Sequence, residues 1–490
     1  MGLDSNMPVI VGVGATTQRP DDSQEATEPL DLMAMALERA GRDAGFPGLL
    51  GLADTVWIPR GFWPYSSPGR LLGERFGSPG MRTVVSEIGV LQTTLLGRAA
   101  AAIASGDSEV ALIVGGEARA REMAFQKQGV SPPMTAQIDC PPDETLRPQA
   151  EIIHPLEIEL GLVSPTTQYA LLDHALRAHE GQTLESHRAE VAALWSGFNR
   201  VAVENPDAWN RTPMSPDEIV SPGATNRLLS FPYTKSLVSQ WTVNQAGGLI
   251  LCSRAKALSL GLDKRRFVYP LAVIDAEAML PLSERRDLHL SPGFERAFER
   301  VLSHVDLGVE EIDRLELYSC FPAAVRIQQR ALELDPIRPV TQTGGMTFAG
   351  GPLNNFVLQS WVKMVEQLRR GPPGVGMVTA VSGFLTKQGV SLLATDPIKP
   401  FLFDQVTEAA RLDQVKITVD PQLEGPARVT SYTVDHERDG SMRVVLILDV
   451  DASRRTIRVV EDEALALEGM ESDLCGRALN LESGGGLRWR

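Results

Sequence analysis

The chain has few of the residues from which specialised architectures are built. Only four cysteines occur in 490 residues, Cys140, Cys252, Cys320 and Cys475, and no two of them form a CxxC pair. Such scattering excludes a zinc knuckle and a disulfide framework, and it suits the cytoplasm. The seven histidines are spread singly; His174 and His179 are five apart and miss the i, i+4 spacing of a helical metal pair. No metal is expected. Basic residues are outnumbered, 47 Lys and Arg against 62 Asp and Glu, for a net charge of −15. A phosphate-backbone binder needs a basic face, so nucleic acid is not an expected partner. No apolar run approaches the roughly 18–20 residues of a membrane span, and the N-terminus lacks the basic-then-apolar order of a signal peptide.

What remains has the composition of a folded globular protein, 43% hydrophobic and 22% charged. Its length predicts two to four domains. Four β-type runs, at residues 9–13, 55–58, 83–85 and 110–114, alternate with helical stretches at 29–44 and 95–104, the pattern of a parallel sheet with crossovers. The same order returns at 267–274, 315–318, 339–341 and 376–381, which reads as a duplication. In each half a glycine turn follows the third run and opens a helix. The first is Ser86-Glu87-Ile88-Gly89-Val90, and the second runs from Gly344 to Pro352 before a helix over 353–368. Free N–H groups and the positive dipole end make such turns sites for an anion or oxyanion. Residues 120–231 form an insertion, read as a loop domain over the pocket, with a helix over 184–203. Beyond 400 the texture changes to alternating strands, a separate β-rich unit. The expected domains are therefore 1–260 (with the insertion), 261–400 and 401–490.

Several segments carry a family likeness. Ile103-Ala104-Ser105-Gly106-Asp107 with Ala111-Leu112-Ile113-Val114-Gly115-Gly116-Glu117, then Asn244-Gln245-Ala246-Gly247-Gly248, and Gly350-Gly351-Pro352-Leu353, resemble segments of the thiolase superfamily. Leu317-Tyr318-Ser319-Cys320-Phe321-Pro322, Phe231-Pro232-Tyr233-Thr234-Lys235 and the tail from Gly425 through Tyr432 to Gly440 resemble its thiolase-like protein type 1 group, related to the sterol-carrier-type thiolases. The resemblance covers nearly all of 8–400 and the added C-terminal domain. It implies an α/β thiolase fold, two βαβαβ-type halves in αβαβα layers with an inserted loop domain. It also implies CoA or an acyl-CoA thioester as ligand, in lipid metabolism.

The same alignment empties the catalytic roles. The nucleophilic cysteine falls at Gly89, the activating histidine at Gly351, the asparagine near Ala324, and the second cysteine near Ser382 or Gly383. Attack on a thioester needs a low-pKa thiolate, which a glycine cannot supply. The remaining candidates are weaker. Tyr318 is a candidate because some thiolase relatives without the nucleophile are retro-aldolases that use a tyrosine as acid/base group, its alternative role being packing in a strand. Cys320, at the end of a strand, is a candidate or simply a buried small residue. Gly350, Gly351, Asn354 and Gly383 are expected at the ligand, with Asn354 and Asn355 serving as helix caps or as donors. Glu117 serves as a base or as a loop anchor, and Tyr233 and Lys235 are candidates to touch a CoA phosphate or pantetheine, the alternative being a solvated lysine. The expected function is binding of CoA or an acyl-CoA without thiolysis. The alternatives are a retro-aldolase or acyltransferase of lipid and sterol metabolism using Tyr318, Cys320 or Ser382, and an interaction scaffold. Thiolase folds pair through the third strand of the first half, here 83–86; an added domain can block that contact.

Overall fold

Near-continuous apolar runs become strands covered on both faces: Pro8–Thr17 and Val110–Ala118 are buried almost throughout. The computed structural model describes residues 5–19, 25–148 and 153–490. A six-stranded sheet has the order Pro8–Thr17, Asn244–Ser253, Val110–Ala118, Thr55–Pro59, Arg82–Ser86, Glu144–Leu146. A five-stranded sheet has the order Leu402–Gln405, Tyr269–Ala276, Lys387–Ala394, Val375–Ser382, Arg314–Glu316. In both halves the first strand lies beside the last, then the fourth position, then the second, so the duplication is visible in the topology itself.

The halves differ at their third strand. In the first half Arg82–Ser86 pairs parallel to Thr55–Pro59, and Val84 to Ser86 pair on the other side with Glu144 to Leu146. The edge expected to join a second copy is thus already occupied. In the second half the strand expected at 339–341 does not form; Leu317 N–H donates to Val340 O at 2.9 Å in place of a ladder. Pro339 has no N–H to donate there.

Helices Gln92–Ser105 and Phe356–Arg370 lie between the two sheets and touch strands of both, while Pro29–Asp43 and Pro292–Val305 cover the outer faces. This gives the five layers αβαβα. The second inner helix starts later than its sequence pattern predicts, at Phe356, because a 3-10 turn over Leu353–Asn355 intervenes.

The third sheet joins Thr418–Val419, Arg454–Val460, Met442–Asp449, Gly425–His436, Ala478–Leu481 and Leu487–Trp489. Two short strands at the end of the insertion and just beyond it, Leu228–Ser230 and Tyr233–Thr234, belong to it as well. By sheet membership, Leu402–Gln405 belongs to the second half, since it pairs parallel to the Tyr269–Ala276 strand. Among the described residues, no helix is long and apolar enough to cross a membrane.

Candidate functional site

The turn at 87–90 brings the chain from the strand Arg82–Ser86 into the first inner helix. Gly89 sits there at φ +104°, in the left-handed region that side-chain-bearing residues avoid. Its carbonyl accepts from Lys387 Nζ, and a Cβ built on Gly89 would lie 4.0 Å from that amine. Lys387 begins the strand Lys387–Ala394 and pairs across its hairpin with Ser382. The fold therefore brings two of the emptied positions, Gly89 and Ser382, to either side of a lysine. Lys387 has no accessible surface; burial lowers its pKa, and Glu277 opposes part of that shift. A lysine opening an apolar run was its one sequence signal.

Gly351 faces elsewhere. Its N–H donates to Gln240 O at 2.8 Å, and a Cβ there would lie 2.1 Å from Ser239 Oγ and 3.0 Å from Met346 Cε. Gly350 precedes it at φ +102°. Ala324 is buried inside the helix Pro322–Ala331. Gly383, in the 382–387 hairpin, accepts from Tyr169 Oη at 3.3 Å. Neither Gly89 nor Gly351 lines the cavities beside Leu194, beside Thr407 or beside Gln182.

Cys320 and Tyr318 are both buried. Burial pushes the Cys320 thiol up to about 12, which leaves it protonated and a poor nucleophile at neutral pH. The Tyr318 phenol is raised for the same reason, and its ring meets Phe356 edge-on at 6.1 Å. Tyr233 is also fully packed, its hydroxyl accepting from Ala323 N–H at 3.2 Å, whereas Lys235 is exposed on the Lys235–Leu237 turn.

Polar groups do converge where the two inner helices begin. Asn354 Nδ2 donates to Arg60 O at 3.3 Å, and Asn354 Oδ1 accepts from Gln92 Nε2, which also reaches Asn354 O at 3.3 Å. Arg60 N–H in turn donates to Ser86 O at 2.8 Å. Beside this chain, Asn355 is 2% exposed, yet neither its Oδ1 nor its Nδ2 has a partner. It makes no side-chain cap bond to its helix, so the cap reading does not hold at this residue. Gln92 Oε1 and Ser86 Oγ are likewise buried without partners. Buried amides left unpaired cost about 1–3 kcal/mol each, so such a group ordinarily awaits a water or a ligand.

Glu117 closes the same neighbourhood. It accepts from Phe62 N–H at 2.8 Å, the loop-anchoring role, and burial pushes its pKa up to about 7. Asp275, held by Thr93 Oγ1 at 2.5 Å and Thr94 Oγ1 at 2.7 Å, and Glu316 are also pushed up to about 7 by burial. For a carboxyl raised on folding, the unfolded chain releases its proton first. Each group therefore favours the folded state fully only below the ordinary carboxylate range and loses that contribution as pH rises toward 7. At about 1.4 kcal/mol per unit, each carries at most about 3–5 kcal/mol. The thermal unfolding temperature should thus fall between pH 5 and pH 8, and Glu117→Gln, which keeps an acceptor for Phe62 N–H, should shrink that fall. An unchanged slope would show that Glu117 ionises normally in the folded protein.

Among the described residues, no group of His, Cys, Asp and Glu side chains is arranged to hold a metal ion. No family model matches the sequence, and no curated protein does. Solved structures do match. One is a monomeric SCP2-thiolase-like protein type 1 from Mycobacterium smegmatis, at TM-score 0.83 and 26% identity over 99% of each chain. Another is the Acat5 thiolase of Ascaris suum in complex with coenzyme A, at TM-score 0.57 and 15% identity over 79% of this chain and 99% of that one. A third is the aldolase Ltp2-ChsH2(DUF35), at TM-score 0.59 and 17% identity over 80% and 99%. With αβαβα layers, matching strand order in both halves and a structural likeness extending over its full length, the chain belongs to the thiolase superfamily.

Proposed function

We propose that this protein binds CoA or an acyl-CoA thioester of lipid metabolism and performs no thiolysis, with the pantetheine or thioester end at the start of the inner helices. The observation that carries this reading is Asn355, a buried amide with a free donor and a free acceptor, next in sequence to Asn354, which Gln92 holds. An amide pair of this kind suits the amide and carbonyl groups of pantetheine. Thiolysis is disfavoured because Gly89, Gly351 and Ser382 supply neither thiolate nor imidazole, and the Cys320 thiol is pushed up to about 12. The CoA-bound thiolase among the structural neighbours supports the ligand class. The occupied edge at Val84 to Ser86 supports a chain acting alone. Four unpaired thiols suit a cytoplasmic setting.

Calorimetry with CoA, acetyl-CoA and longer acyl-CoA species tests the proposal. We expect dissociation constants of micromolar order, weakened by salt through the phosphates. Asn355→Leu should weaken binding at least tenfold without lowering the unfolding temperature, since it removes no hydrogen bond within the protein. Absence of binding by every thioester, or CoA-dependent cleavage of acetoacetyl-CoA by the wild type, would overturn it.

A further inference from the structure

A second site lies at the far end of the helix Phe356–Arg370, twelve residues beyond Asn355 and so roughly 18 Å along the axis at about 1.5 Å per residue. There a cavity of about 910 Å³ opens between this helix, the C-terminal half of Leu184–Glu204 and residues 336–342. Its position follows from the asymmetry between the halves. In the second half no third strand forms at 339–341, and that stretch instead becomes a wall of the cavity. The volume falls within the roughly 300–1,000 Å³ usual for small-molecule sites.

The lining joins an apolar surface to a cationic one. Leu194, Phe198, Val201 and Val340 form the apolar part. Of the charged groups, Lys363 is neutralised by Asp207 and Glu366, and Glu190 by Arg326 and Arg330. Arg338 donates only to the carbonyls of Val309 and Ile312 and makes no ion pair among the described residues; Arg200 makes none either. Glu204 sets one negative charge against these two, and Arg370, also in the lining, pairs at 3.7 Å with the Glu366 that it shares with Lys363. A further polar group lines the site: Gln329 is 3% exposed, and its Nε2 has no partner. An unpaired buried donor beside uncompensated guanidinium groups calls for an anionic acceptor, and the apolar wall calls for a hydrocarbon.

We propose that this cavity binds a free long-chain carboxylate, its chain along Leu194, Phe198, Val201 and Val340. Gln329 Nε2 donates to a carboxylate oxygen, and Arg338 with Arg200 supplies the positive field. The proposal is independent of the site at the helix starts and shares no residue with it.

Titration of the full chain with dodecanoate, read by calorimetry, is the direct test. The wild type should bind at micromolar order. Gln329→Leu should weaken binding at least tenfold while leaving thermal unfolding unchanged or raised, because it removes an unpaired donor. Val201→Trp, which fills the groove from a half-buried position, should abolish binding, and Asn355→Leu should leave it untouched. Dodecanol should bind at least tenfold more weakly than dodecanoate. Absence of dodecanoate binding, equal binding of dodecanol, or indifference to both Gln329→Leu and Val201→Trp in folded protein would each overturn the proposal.

Discussion

A chain ended at residue 413 should lose cooperative unfolding and accumulate as insoluble or loosely packed protein. The sequence alone suggests the opposite, a separable unit after residue 400. In the structure, however, the strand Met442–Asp449 is divided by its two-residue period. Val445 and Ile447 pack with the main core, together with Ile457 from the next strand, while Val444, Leu446 and Leu448 pack with Tyr432 and Leu465 within the C-terminal unit. Polar contacts cross the same boundary. Buried Arg455 donates to the carbonyls of Ser283, Arg285 and Arg286, and buried Arg177 pairs with Asp473. Asp435 accepts from Thr167 Oγ1 at 2.9 Å, and Ser431 Oγ donates to Leu171 O at 2.6 Å. Uncovering a buried aliphatic side chain costs about 1.5–3 kcal/mol and orphaning a buried polar group about 1–3 kcal/mol. Several of each together reach the total stability of an ordinary domain, about 5–15 kcal/mol. Calorimetric unfolding of the truncated chain is the measurement. A single sharp transition close to that of the full chain would show the C-terminal sheet to be an appendage.

The second large effect concerns the emptied catalytic positions. Gly89→Cys combined with Gly351→His should show no measurable thiolysis and should unfold well below the wild type. The sequence alone suggests that this double change does better than the single one, provided both turns tolerate a Cβ. Neither does. At φ +104° a cysteine costs about 1 kcal/mol or more, and its Cβ would meet Pro148 at 3.2 Å. At 351 a Cβ 2.1 Å from Ser239 Oγ forces the backbone or the serine to move, an overpacking of about 1–3 kcal/mol before the imidazole is placed. Lys387, close to the new thiol, should make Gly89→Cys more reactive toward iodoacetamide than the wild-type cysteines, since a nearby cation favours the thiolate. Reactivity without a positioned base and proton donor is not turnover, because such groups act as a unit. Acetoacetyl-CoA consumption that depends on free CoA, measured beside thermal unfolding, tests both halves of the expectation. Turnover by a double variant with native-like unfolding would refute it.

Local information determined a good deal of this protein. Apolar period and turn residues mark the helices Pro29–Asp43 and Leu184–Glu204 and most strands of both halves, because each must bury a face that the sequence spells out. The loss of the thiolase nucleophile is likewise written in one residue, Gly89. Tertiary structure decided what pattern cannot carry. Residues 339–341 have strand-like composition yet find no ladder, since pairing depends on a neighbour and on the N–H that Pro339 lacks. Leu228–Ser230 and Tyr233–Thr234 join a sheet whose main strand begins nearly two hundred residues later, a long-range pairing that no local window contains. The same holds for the chemistry. Lys387 beside Gly89, the unpaired amide of Asn355 and the free donor of Gln329 are ordinary polar residues in the sequence. They become notable only where the packing of distant elements removes water from them without supplying a partner.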